Sequence, residues 1–245
     1  MSLGFTNLCV GLGGGSAATS SGAPPSGGAS YSNSLSCSFD GSTDYLECDS
    51  VQSFSGAFSL SFWFRPSGGN FMTMVFGTGV NNEYVQLYGP SVGAGRFVVV
   101  RNIGTITSSS GIYTYEDWNH FMLVRDSSND VEAWVNGSSI GTSSVSGTRR
   151  IGRFGNATWE NEAFGGEMDE IALWGSDQSA NVSTIYNSGA PTDLSGLSPL
   201  SWWRMGDTNP ASAGTSVSSV TDVQGNTDLG QSTASKQPVI STNVP

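Results

Sequence analysis

At 245 residues the chain has the length of one large β domain, because sandwiches and barrels of roughly 200–250 residues form single domains. Only 9 Lys plus Arg stand against 20 Asp plus Glu, and the formal charge of −11 excludes attachment to a nucleic-acid backbone, which relies on cationic side chains displacing condensed counterions. No apolar run approaches the roughly 20 residues of a membrane-spanning helix, so no membrane insertion is expected.

Residues Met1 to Asn33 are dominated by Gly, Ser and Ala, with Pro24 and Pro25. They offer too little apolar surface to offset the entropy of ordering them alone, and read either as a flexible leader or as an N-terminal arm (residues 1–33) packed on neighbouring subunits. Leu8, Cys9, Val10 and Leu12 lack a basic flank and a full apolar core, so no signal peptide is expected. The run GLGGGS at Gly11–Ser16 has neither the following helix nor the Lys of a phosphate-cradling loop.

Ser34–Asp40 and Tyr45–Asp49 read as strands paired around the turn Gly41-Ser42-Thr43, which places Cys37 opposite Cys48. A cross-strand disulfide and two buried thiols are both open there. The odd total of three cysteines favours thiols. Ala57–Pro66 alternates Phe58, Leu60, Phe62 and Phe64 with Ser59, Ser61, Trp63 and Arg65, the pattern of a strand buried on one side. Phe71–Phe76, Glu83–Tyr88, Gly95–Asn102 and Asn119–Asp126 are further strands. Val131–Gly141 is a hairpin about Asn136-Gly137, with Ala133 facing Ile140 inside and Glu132 and Trp134 outside. Arg149, Arg150 and Arg153 mark a basic, solvated strand end.

In GGEMDEIALW (Gly165–Trp174), alternation puts Asp169 with Ile171 and Leu173 on one face, and Met168, Glu170, Ala172 and Trp174 on the other. Val182, Ile185 and Tyr186 then form one apolar stripe on a short helix stopped by Gly189 and Pro191, and this helix should cap a sheet. The expected fold is therefore all-β with one short helix.

Taken in order, SLSCSFDGSTDYLEC, FSLSFWFRP, the strand entry Trp118-Asn119-His120, VEAWVNGSSIG, RRIGRFG and FGGEMDEIALW resemble the laminin G-like, concanavalin A-like family of lectin and glucanase jelly rolls. The resemblance implies a two-sheet antiparallel jelly-roll sandwich over residues 34–207, followed by a C-terminal segment (208–245) that returns to the sheet edge and then extends away. LSPLSWWRMGD and TDVQGNTDLG look like the opening strand and Gly-Asn turn of such a domain, placed here after it. That order, with a short arm, is similar to jelly rolls of marine bacteriophage particles. It implies a non-enzymatic protein of the outer virion surface, in a decoration, fibre or tail position, whose partners are other virion proteins or copies of itself.

The resemblance also implies a structural calcium held by Asp169 with Asp40; the alternative for Asp169 is hydrogen bonding to loop amides. The cluster Glu160, Glu162, Glu167, Asp169 and Glu170 invites a glycosidase reading, since that chemistry sets two carboxylates across a sugar bond. The family's paired-carboxylate signature is absent, so no catalysis is expected and a secreted glycan hydrolase ranks last. A cell-surface glycan is the alternative partner, with Trp159 and Asn156, then Tyr113 and Tyr115, then Trp134 as platform residues. Each aromatic could equally be buried, and burial is the expectation for Trp63 and Trp134. His120, the single histidine, is expected to be structural.

Overall fold

A computed structural model describes residues 31–68, 71–77, 83–89, 96–156 and 162–245. The opening strands are β1 (Ser36–Asp40), β2 (Leu46–Phe54), β3 (Phe58–Gly68), β4 (Phe71–Phe76), β5 (Tyr84–Tyr88), β6 (Phe97–Arg101) and β7 (Ile106–Thr107). They are followed by β8 (Asn119–Arg125), β9 (Asp130–Val135), β10 (Ser138–Ser144), β11 (Arg149–Phe154) and β12 (Gly165–Trp174). After the helix α1 (Val182–Tyr186) come β13 (Ser201–Trp203), β14 (Ser219–Val220), β15 (Leu229–Gly230) and β16 (Val239–Ser241).

All pairings between these strands are antiparallel and divide them between two sheets. The first runs β10-β9-β8-β3-β12-β1-β16, with β13 extending beside the second half of β12; the second runs β14-β15-β2-β11-β4-β5-β6-β7. One core of fully buried side chains lies between them, drawing Phe62, Phe64, Phe121 and Leu123 from the first sheet and Leu46, Met72, Val85, Leu87 and Phe154 from the second. This is the expected jelly-roll sandwich.

A smaller apolar layer covers the outside of the first sheet. Val182 and Ile185 of α1 and Leu194 pack over Met122, Val124, Trp134, Ala172, Trp174 and Trp202. Tyr186 stacks on Trp63 with ring centroids 6.1 Å apart. Each buried aliphatic contributes about 1.5–3 kcal/mol, which is enough to hold so short a helix that could not persist alone. The cap expected for this helix is therefore present, and Trp63 and Trp134 are covered as expected.

Four expectations are corrected. β1 and β2 do not pair with each other, because the chain crosses between sheets at the Gly41-Ser42-Thr43 turn; Cys37 and Cys48 are buried free thiols. In β12, Asp169 pairs with Trp63 but Ala172 pairs with Ser61, so three steps on one strand match two on the other. This bulge, with Glu170 at φ 48°, flips the parity. Met168 joins Ile171 and Leu173 in the main core, while Asp169 sits opposite Trp63 on the outward side. A second bulge sets Gly141, not Ile140, opposite Ala133. Finally, residues 208–245 do not extend away: β14 and β15 add to the second sheet through β2, and β16 pairs with β1 in the first.

The arm boundary also moves. Residues 1–30 lie outside the described residues, but Tyr31 to Asn33 pack on the sandwich. Tyr31 stacks on Trp202 at 6.3 Å, and the Asn33 amide donates to Asp169 at 2.9 Å.

Candidate functional site

A groove of about 700 Å³ opens on the outer face of β8, β9 and β10. Its floor follows from alternation. Val131, Ala133 and Val135 point into the core, so Asp130, Glu132 and Trp134 face outward. Register places Val124, Glu132 and Thr142 side by side across three strands, with Ser144 beside Asp130.

One wall is the turn before β9, where the Asp126 carboxylate accepts the backbone N–H groups of Ser128 at 2.8 Å and Asp130 at 2.9 Å. The facing wall, carrying Asp177 and Ser179, is pinned by the buried Ser59 hydroxyl, which donates to the Ser176 carbonyl and accepts the Gln178 N–H. The lining thus contains one indole, the carboxylates of Asp126, Asp130, Glu132 and Asp177, and the hydroxyls of Thr142, Ser144 and Ser179, while the Ser143 hydroxyl turns to the opposite face with Val131 and accepts the Thr105 N–H. No Lys or Arg lines it. Such a surface offers many acceptors, beside one largely buried indole, to a ligand rich in hydroxyl donors, and its volume is that of an ordinary small-ligand site.

The residues expected to bind sugar do not converge there. Tyr113 is buried, with its hydroxyl donating to the Tyr88 carbonyl at 2.8 Å, and is part of the core rather than a platform. Tyr115 is half-buried against the same core. Asn156 donates to the Ser42 carbonyl at 3.4 Å, at the edge of hydrogen-bonding distance. Trp159 and Glu160 lie outside the described residues. Glu162, just beyond them, accepts from Gln86 on the second sheet. Among the described residues Trp134 is the expected aromatic that lines this groove, although the residue is only 8% exposed. The groove carboxylates were not anticipated. The usable signal was the hairpin parity, which already set Glu132 beside Trp134 on the outer side.

Asp40 and Asp169 are not brought together. Asp40 pairs with Gly165 and Cys37 with Met168, so the two carboxylates are separated by about 13 Å of strand. Burial alone would raise Asp40, but its carboxylate accepts N–H groups from Ser42 and Thr43 at 2.8 Å and from Asp44 at 3.1 Å, and these hold it below the usual carboxylate range. Burial, then the Asp40 charge, pushes neighbouring Asp44 up to about 6. Among the described residues no three acidic, His or Cys side chains converge on a cation position. These residues do not fit a calcium ion shared between Asp40 and Asp169.

Asp169 is fully buried, and its oxygens accept from Asn33 and from the Glu170 N–H. Burial and the adjacent Glu170 charge raise it well above the ordinary range. Glu170 accepts from the Trp202 indole at 2.6 Å and the Arg204 guanidinium at 3.0 Å; burial still pushes it up to about 7 against the pull of Arg204. Glu167, which shares a face with Asp169, is committed to an ion pair with Arg65 at 3.0 Å. None of this set is open to a sugar bond.

His120 is buried between Trp63 and Tyr186, with its Nε2 2.8 Å from the Ser61 hydroxyl. Burial lowers it to about 3, so it is a neutral structural ring.

A family model described as the concanavalin A-like lectin/glucanases superfamily matches residues 40–182. No curated protein matches the sequence. Among solved structures, a Bacteroides ovatus protein provisionally named a carbohydrate binding protein superposes with a TM-score of 0.64 at 14% identity, over 86% of this chain and 60% of the other. The chain therefore spans less than two thirds of that protein's length. A native heptameric SAP-like pentraxin from Limulus polyphemus superposes with a TM-score of 0.50 at 17% identity, over 63% of this chain and 82% of the other. At these identities the likeness is one of fold.

Proposed function

We propose that this chain, which belongs to the concanavalin A-like lectin/glucanases superfamily, is a non-catalytic glycan-binding jelly roll that takes its ligand in the groove of Trp134 and Glu132. The observation carrying this reading is the lining itself, an indole among four carboxylates and three hydroxyls, with no basic side chain among the described residues. Carboxylates accept from sugar hydroxyls in charge-assisted hydrogen bonds, each worth about 1.5–3 kcal/mol where water is excluded. The same carboxylates repel sialic, uronic and sulfated sugars, so the glycan is neutral or amine-bearing. The carboxylates first suspected of hydrolysis are engaged elsewhere, Glu167 with Arg65 and Asp169 beneath Asn33, which supports a binding role over an enzymatic one.

A glycan array read with and without calcium tests this. Binding to neutral or amino glycans should fall at least tenfold in Glu132→Gln and in Asp130→Asn, with the circular dichroism of both variants unchanged. Binding to no glycan in either condition, or binding that both variants retain, overturns it.

A second reading is favoured by the docking of Tyr31 to Ser34 on the sandwich, which fixes the root of the low-complexity leader. On this reading the jelly roll stands on the outer surface of a bacteriophage virion, and the leader attaches it to other virion proteins or to copies of itself. Mass spectrometry of purified particles should then find the chain as a stoichiometric component. Its absence from particles, with abundant free protein in the lysate, would sink this reading while leaving glycan binding intact.

A further inference from the structure

Residues Tyr31 to Ser34 cross the outer face of the first sheet without joining any strand, so side chains and one guanidinium do most of the holding. The Tyr31 ring stacks on Trp202, and the Arg204 guanidinium lies over it at 4.7 Å. Arg204 also donates to the Ser32 carbonyl, to Glu170 and, at 3.4 Å, to Asp207. Asp207 in turn accepts the Ser34 hydroxyl at 2.6 Å and the Ser34 N–H at 3.1 Å. Asn33 donates to Asp169.

We propose that Tyr31–Ser34 form a releasable clasp, centred on Arg204, that opens while the sandwich stays folded.

Three features set the clasp near balance. It buries the Asn33 side-chain amide oxygen Oδ1 without a partner, which costs about 1–3 kcal/mol against the docked state. It closes over three carboxylates, of which Glu170 and Asp207 share the single Arg204 guanidinium while Asp169 accepts from the neutral Asn33 amide. Its own gain is local: a ring stack and a cation–π contact worth about 0.5–2 kcal/mol each, with the hydrogen bonds at Ser32, Asn33 and Ser34, which water replaces on release. Segments held in this way open with far less free energy than the strands beneath them. Release uncovers Trp202 and Glu170 on the sheet's outer face. The proposal is independent of glycan binding, because the clasp residues are not among those lining the groove.

Hydrogen–deuterium exchange on the full chain tests it by comparing the peptide spanning residues 31–35 with that of β8. In the wild type the clasp amides should exchange at least tenfold slower than an unstructured peptide yet at least a hundredfold faster than β8. Tyr31→Ala and Arg204→Ala should each accelerate exchange of residues 32–35 at least tenfold. Tyr31 lies outside every strand, so its variant must leave β8 unchanged; this keeps the test valid should Arg204→Ala fail to fold. Exchange of residues 31–35 in step with β8, no protection in the wild type, or Tyr31→Ala leaving the clasp rates unchanged overturns the proposal.

Discussion

His120 stands at the centre of the first sheet's outer layer, in register with Trp63 and with Nε2 against the Ser61 hydroxyl. Its Nδ1 is buried without a partner, so protonation would place an uncompensated charge among aromatic rings. The folded ring therefore titrates near 3, while an exposed histidine takes its proton near 6.5. Between those values the unfolded chain binds the extra proton. The contribution of His120 is thus complete above pH 6.5 and is lost as pH falls, at up to about 1.4 kcal/mol per pH unit. Asp44 and Glu170 act in the opposite sense, since their raised folded values favour the folded state in acid. The comparison must therefore isolate the histidine. Urea midpoints at pH 7, 5.5 and 4.5 should fall more steeply in the wild type than in His120→Gln, which keeps a polar partner for Ser61 and cannot titrate. Parallel pH profiles would show that His120 ionises in the folded state.

Strand β12 is where local backbone geometry governs the fold. Gly166 has φ 140°, and a Cβ there would lie 2.0 Å from the Arg65 carbonyl oxygen, directly against the strand to which β12 pairs. No rotamer can relieve a clash between main chains. Gly166→Ala should therefore lower the melting temperature by more than 10 °C or abolish soluble expression, whereas Gly175→Ala, with nothing within 4 Å of the added carbon, should leave it within about 2 °C. Thermal melts of the two variants make the comparison, and equal losses would contradict it. The strands themselves were legible because alternating Phe58, Leu60, Phe62 and Phe64 admit only one buried face, and Asn136-Gly137 dictates a tight hairpin. Bulges were not. Glu170 takes a left-handed conformation with no glycine to announce it, and once it does so every parity argument reverses across it. The β1–β2 pairing failed for a related reason, since a short polar turn reads the same whether the chain folds back within a sheet or crosses to the facing one.

At the scale of the whole molecule, what the family match covers and what the fold requires differ. The match ends at residue 182, yet β13 to β16 follow it. The groove illustrates the same separation of scales, because its carboxylates come from residues 126, 130, 132 and 177, and only the finished hairpin and the Ser59-pinned loop place them around one space. Beyond the hairpin parity that sets Glu132 beside Trp134, sequence spacing carries no trace of that convergence. The C-terminal segment is the larger case. Val217, Val220, Leu229 and Ile240 lie in the main core, the Trp203 indole donates to the Thr227 carbonyl, and Asp222 accepts the Trp202 N–H. Deleting residues 208–245 would remove four buried aliphatics, at about 1.5–3 kcal/mol each, which is comparable with the entire stability of an ordinary domain. It would also expose β1 and β2 as unpaired edges beside apolar surface, the condition that drives strand-to-strand aggregation. A chain ending at Asp207 should accordingly accumulate as insoluble protein without a cooperative melt. If residues 208–245 were instead a dispensable tail, the shortened chain would be soluble and melt with the full-length transition, so solubility and one thermal scan separate the two architectures.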